Sequence, residues 1–108
     1  MIQSISAPEL AAWLADTQRP APTLLDVREG WEVQTCALPG ITHVPMHLIP
    51  TQLQSLDPEA EIVCICHHGA RSMQVAAFLA RQGFEKVINL SGGMDAWARQ
   101  VDPTTPTY

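Results

Sequence analysis

The chain has 108 residues, 46% of them hydrophobic and 16% charged, a composition that describes one globular domain and not a disordered or coiled-coil chain. Six Lys and Arg against eleven Asp and Glu leave a net charge of −5, so no basic face is on offer to nucleic acid or anionic lipid. Three cysteines, odd in number and irregularly spaced, argue against a disulfide framework and for a reducing compartment, by default the cytoplasm. The opening Met1-Ile2-Gln3-Ser4-Ile5 lacks the pattern of a secretory signal, and no apolar run approaches the roughly 18 residues of a membrane span.

In chain order, Ser6-Ala7-Pro8-Glu9 opens a first helix, with Ser6 as its cap, Glu9 at the capping-box position and Pro8 in the first turn. Leu10, Trp13 and Leu14 give it an apolar stripe, and Arg19-Pro20-Ala21-Pro22 ends it in a turn. Thr23 to Val27 is an apolar run of strand length, as in a parallel sheet covered on both faces. Arg28 to Gln34 reads as a short helix or turn, and His43-Val44-Pro45-Met46 as a weak strand that Pro45 confines to an edge. Leu48, Ile49, Leu53 and Leu56 fall at helical spacing and predict a helix ended by Asp57-Pro58. Ile62 to Cys66 is the strongest strand signal in the chain. Arg71 to Gln82 follows as a helix apolar around much of its circumference, with Gly83 at its C-terminal cap. Lys86 to Leu90 is a further strand, Ser91-Gly92-Gly93 a turn into a last helix, and Asp102 to Tyr108 an extended tail. Strands alternating with helices define an α/β domain, with a mostly parallel sheet buried between helical layers.

Ligands of open α/β sheets collect beyond the carboxyl ends of the strands, here the loops after Val27, Cys66 and Leu90. Only one carries a reactive constellation, Cys66-His67-His68-Gly69-Ala70-Arg71-Ser72. Cys66 ends a buried strand and starts a loop that runs directly into a helix, whose first N–H groups are unpartnered and partly positive. Gly69 lets backbone amides turn inward around one point, which favours the thiolate of Cys66. Arg71 adds a permanent cation suited to an oxyanion.

These residues make the chain recognisable. It resembles the rhodanese homology domain in its single-domain sulfurtransferase form, over nearly its whole length. Three blocks carry the resemblance: Leu24-Leu25-Asp26-Val27-Arg28-Glu29 followed by Pro39-Gly40; Cys66 to Ser72; and Gly92-Gly93-Met94-Asp95-Ala96-Trp97. The resemblance implies a single domain over residues 1–108 with a three-layer fold, a five-stranded, essentially parallel sheet with helices on both faces. It also implies that the Cys66 thiolate takes a sulfane sulfur from a donor, thiosulfate or a persulfide, and passes it to a thiol or cyanide. His67, His68, Gly69, Ala70, Arg71 and Ser72 would then bind the donor, with Asp26 and Arg28 ordering the neighbouring loops. No metal or organic cofactor is implied, nor any nucleic-acid or membrane partner.

The Cys-x4-Arg spacing matches the sulfurtransferase branch, whereas related phosphatases and arsenate reductases carry Cys-x5-Arg and a wider cradle. The rival from another class is a non-catalytic interaction module, against which the presence of both Cys66 and Arg71 weighs. Cys64 lies mid-strand and reads as packing. Cys64, Cys66, His67 and His68 converge poorly as zinc ligands. Only Arg71 is a fixed cation in the loop, which places a persulfide donor level with thiosulfate. Where the family often shows Gly-His-Ile-Pro-Gly this chain has Cys36-Ala37-Leu38-Pro39-Gly40, with Cys36 read either as a resolving thiol or as a small turn residue. Trp13, Trp31 and Trp97 read as core or pocket-wall aromatics.

Overall fold

The structure, a computed structural model, describes residues 2–108. Its elements are β1 (Gln3–Ile5), α1 (Ala7–Ala15), β2 (Thr23–Asp26), α2 (Gly30–Thr35), β3 (Thr42–His43), β4 (Ile62–Ile65), α3 (Ala70–Arg81), β5 (Val87–Leu90) and α4 (Gly93–Gln100), with 3-10 turns at Met46–Leu48 and Leu53–Ser55. All strand pairings are parallel, in the spatial order β1-β5-β4-β2-β3. From β4 the chain moves one way to β5, and from β2 the other way to β3. The loops leaving β2 and β4 therefore part company at a topological switch point, the place where such sheets open a crevice.

The two-residue alternation of the strands sorts the core into two layers. Leu25, Val27, Ile62, Cys64, Cys66 and Val87 pack with Val75, Ala76 and Leu79 of α3. Leu24, Val63, Ile65, Ile88 and Leu90 pack on the other face with Leu10 and Trp13 of α1 and Met94 of α4. The capping box of α1 forms as read: Ser6 Oγ accepts from the Glu9 amide and Glu9 Oε1 from the Ser6 amide. Trp13 is buried in this layer, its indole donating to the Pro20 carbonyl at 3.0 Å under the Arg19 guanidinium.

The structure corrects several expectations. No α-helix runs from Leu48 to Leu56; the segment makes two 3-10 turns. Thr51 and Ser55 set their hydroxyls on the Leu48 and Gln52 carbonyls, three residues back, and so compete with an α-helical ladder. Ile49 and Leu56 nonetheless reach the core, so the spacing of the leucines reported burial and not helix. β1 was unread as a strand; it is three residues long, largely exposed, and recognisable only through its pairing with β5. Trp31 is 61% exposed on the short α2 and is no core aromatic, while Trp97 is half-buried. The tail is not extended. Asp102 caps a turn that sends residues 106–108 back over the sheet's carboxyl edge, and Tyr108 meets Trp31 edge to face at 5.4 Å.

Candidate active site

Cys66 follows β4 directly, and its carbonyl is fixed by the first turn of α4. The Met94 amide donates to the Cys66 carbonyl at 2.9 Å, and the Asp95 amide to the His67 carbonyl at 3.0 Å. With those two carbonyls held toward α4, the loop curls back and brings the Gly69 amide to 3.0 Å from Cys66 Sγ. Gly69 takes a φ of +104°, open to glycine and strained for other residues. The amides of α4 approach so closely that a Cβ at Gly93 would lie 2.6 Å from the His67 carbonyl oxygen and closer still to that of Cys66.

Ser72, one turn into α3, sets its hydroxyl 3.3 Å from Cys66 Sγ and also against Asn89 Oδ1. Asn89 is itself aligned by donating from Nδ2 to the Gly69 carbonyl at 3.2 Å. The hydroxyl has one proton for two acceptors, so a negative charge on sulfur draws that proton toward it. The sequence predicts several inward amides; among the described residues, one amide and one hydroxyl reach the sulfur. Cys66 is only 1% exposed. Cys64 lies deeper in the same layer, its thiol pushed up to about 12 by burial and by the neighbouring Cys66.

Arg71 is not a free cation. Its guanidinium makes a two-pronged ion pair with Glu32 of α2, at 2.6 and 2.8 Å. Hydrogen bonding from Arg71 holds the Glu32 carboxyl down at about 2 despite burial, and Glu32 in return raises Arg71. The second ion pair is Asp26 with Arg28, fully buried, with Nη2 to Oδ2 at 2.7 Å. Burial pulls the Arg28 guanidinium down, but Asp26 and Tyr108 outweigh it and the group is raised. Arg28 also donates to the Glu32 and Cys36 carbonyls, while His43 Nε2 bonds the Arg28 carbonyl at 2.7 Å. Asp26 and Arg28 thus tie together the loops around β2 and α2.

Tyr108 joins the two pairs. Its hydroxyl accepts from Arg28 Nη1 at 3.0 Å and donates to Glu32 Oε2 at 2.8 Å, and its ring stacks on His67 at 3.9 Å. Burial, and Glu32 working against Arg28, push the phenol up to about 12, so it stays a donor at neutral pH. His67 is held below its ordinary value by burial and by the adjacent His68, which is exposed. Ala70 is exposed at the start of α3. Cys36 sits in the α1–α4 layer with Arg28 Nη1 at 3.8 Å from its sulfur, on the opposite face of the sheet from Cys66. That placement favours the packing reading over a resolving thiol.

Glu32, Asn89 and Tyr108 were missed by the sequence reading. Asn89 alone left a signal, a polar residue inside the apolar run Val87-Ile88-Asn89-Leu90. Beside the loop, Val27, Glu29, Met46, His47, Pro50 and Arg71 line an open cleft of about 500 Å³.

Two outcomes follow from this geometry. Gly93→Ala drives a methyl into two backbone carbonyls and should cost roughly 2 kcal/mol or more in a denaturant melt, together with the reactivity of Cys66. The Glu32 carboxyl, depressed when folded, contributes stability that is complete above about pH 4.5 and lost as the pH falls toward 2. After allowing for solvent at the partly exposed Arg71, that loss is on the order of 2 kcal/mol, and Glu32→Gln should flatten the acid limb of a stability–pH curve.

The comparisons with known proteins agree with the geometry. The sequence profile of the Rhodanese-like domain matches residues 6–100. A "Sulfurtransferase" of Allochromatium vinosum is 38% identical over 99 residues, covering 92% of this chain and 91% of that protein. "Thiosulfate sulfurtransferase GlpE" of Tolumonas auensis is 33% identical, covering 95% and 93% of the two chains. The crystal structure of a rhodanese-like domain protein from Staphylococcus aureus superposes with a TM-score of 0.83 at 30% identity, covering 89% of this chain and 91% of that one. The parallel five-stranded α/β sheet, the loop after β4 and these relatives together make the chain a member of the rhodanese-like domain family, with the sulfurtransferases among its kin.

Proposed function

We propose that the protein is a sulfurtransferase that carries a sulfane sulfur on Cys66. The observation that supports this most is the pair of donors aimed at one sulfur at the switch point, the Gly69 amide at 3.0 Å and the Ser72 hydroxyl at 3.3 Å. In the first half-reaction the Cys66 thiolate attacks the outer sulfur of the donor. A new S–S bond forms at Sγ, the donor's own S–S bond breaks, and its electron pair leaves with a thiolate or sulfite. In the second, an acceptor thiolate or cyanide attacks the outer sulfur and Sγ departs as thiolate. Sγ carries negative charge at the start of the first step and at the end of the second, and the two donors stabilise it there. The carried sulfur would stand about 2 Å beyond Sγ, which lets a buried cysteine present a reachable atom. His67, His68, Gly69, Ala70, Arg71 and Ser72 form the wall around that atom in this reading.

The donor is a persulfide in preference to thiosulfate. Arg71 is charge-balanced by Glu32, and the cleft beside it is largely apolar through Val27, Met46 and Pro50. A small dianion gains little there, whereas an organic or protein persulfide fills apolar space as well as delivering sulfur. The three cysteines are all free thiols, which suits a reducing compartment such as the cytoplasm. Among the described residues no helix is long and apolar enough to cross a membrane.

Intact-mass measurement after incubation with a persulfide donor should show one added sulfur that cyanide removes and that Cys66→Ser abolishes. Thiosulfate should load more slowly, and Glu32→Gln, by releasing Arg71, should narrow the gap between the two donors several-fold. A wild type that both donors leave unloaded would point instead to a non-catalytic interaction module.

A further inference from the structure

A second cluster of chemistry-bearing groups lies at the outer rim of the Cys66 loop, where His67 and His68 wall the carried sulfur without exchanging a bond in the transfer steps above. His67 and His68 each offer a ring nitrogen and Asp95 a carboxylate oxygen, all within 4.8 Å of one another. Their sequence separation hides this. Asp95 reaches the histidines only because its amide holds the His67 carbonyl at 3.0 Å, which pins the first turn of α4 against the loop.

Two of the three ligands are already oriented. Tyr108 stacks on the His67 face at an interplanar angle of 12°, which fixes the ring plane and leaves its nitrogens at the free edge. The His68 ring lies 3.9 Å from that of His67, and the residue is exposed and able to turn. Asp95 Oδ2 accepts from Arg99 Nε at 2.9 Å, an outer hydrogen bond of the kind that orients metal-bound carboxylates. The other two histidines have different company: His43 is bonded to the Arg28 carbonyl, and His47 lies 3.9 Å from Glu29. Among the described hydrogen bonds, none engages a ring nitrogen of His67 or His68.

We propose that His67, His68 and Asp95 form a binding site for a divalent late first-row transition-metal ion of the zinc class. Two imidazoles and one carboxylate are the donor set that such ions take, with the remaining position open to water. Bonds of about 2.1 Å in a tetrahedral site put ligand atoms about 3.4 Å apart. The cluster therefore has to contract by roughly an ångström, a movement within reach of the exposed His68 side chain. A bound ion would tie the loop of Cys66 to α4 and would raise thermal stability as binding to the folded state requires. The site shares His67 and His68 with the wall of the sulfur-transfer site but can be tested apart from it, because no cysteine belongs to it.

The test uses Co2+ as a spectroscopic probe and Zn2+ in titration calorimetry, on the full chain carrying Cys36→Ser and Cys66→Ser. The expected result is one Co2+ per chain, with visible d–d bands, no sulfur-to-metal charge-transfer band, and displacement by Zn2+. His68→Ala and Asp95→Asn, each in that background, should weaken binding at least about tenfold, and His47→Ala should leave it unchanged. Circular dichroism melts show whether each variant is folded. Loss of the stoichiometric site in the thiol-substituted chain, indifference to His68→Ala or Asp95→Asn, or dependence on His47 would each overturn the proposal. Its failure would leave Cys66 loading untouched, so the two readings are separable.

Discussion

The site depends on where two peptide carbonyls point. The carbonyls of Cys66 and His67 are taken by the Met94 and Asp95 amides, at 2.9 and 3.0 Å, and this fixes the loop's remaining polarity. An N-terminal helix turn has amides to spare, and here two of them bind protein instead of ligand. The Gly69 amide is left facing the sulfur, and α3 starts immediately afterwards with Ser72 on the same side. The requirement for glycine at 93 is steric and comes from the same contact.

Around that loop the protein places two opposite-charge pairs, Asp26 with Arg28 fully buried and Glu32 buried beneath a partly exposed Arg71. Buried ion pairs recover their desolvation cost only when every donor and acceptor is satisfied. That condition holds: Arg28 is shared among Asp26, two carbonyls and Tyr108, and Glu32 between Arg71 and Tyr108. Among the described residues no buried side-chain polar atom lacks a partner. The consequence for chemistry is that the charge of Arg71 is largely committed before a donor arrives. An arginine six residues into a cysteine loop reads as an anion clamp in sequence and is, in space, a strut to α2.

The sequence made the central strands and their helices legible because they bury both faces or one stripe. Val63 and Cys64 belong to opposite layers, yet both are apolar, which is the signature of a covered parallel strand. Cys66 to Ser72 could be placed at the end of β4 for the same reason. The contacts that complete the site could not be read, since they join residues far apart along the chain: Arg71 with Glu32, Ser72 with Asn89, and Tyr108 with Arg28 and His67. Periodicity also misled in the stretch from Leu48 to Leu56, where the Thr51 and Ser55 hydroxyls take carbonyls three residues back. The C-terminal residues carry proline and threonine and look like an extended tail, and the contacts of the half-buried Tyr108 with two ion pairs give them a structural role.

The central claim is that the loop after β4 sustains negative charge on one of three buried thiols. Site-resolved alkylation of the native protein with iodoacetamide at neutral pH tests it most directly, read residue by residue by peptide mass. The account predicts that Cys66 reacts first and well ahead of Cys36 and Cys64, and that Ser72→Ala slows it by about tenfold through loss of a hydrogen bond to a charged group. Reaction of all three thiols together, at the rate of global unfolding, would contradict it.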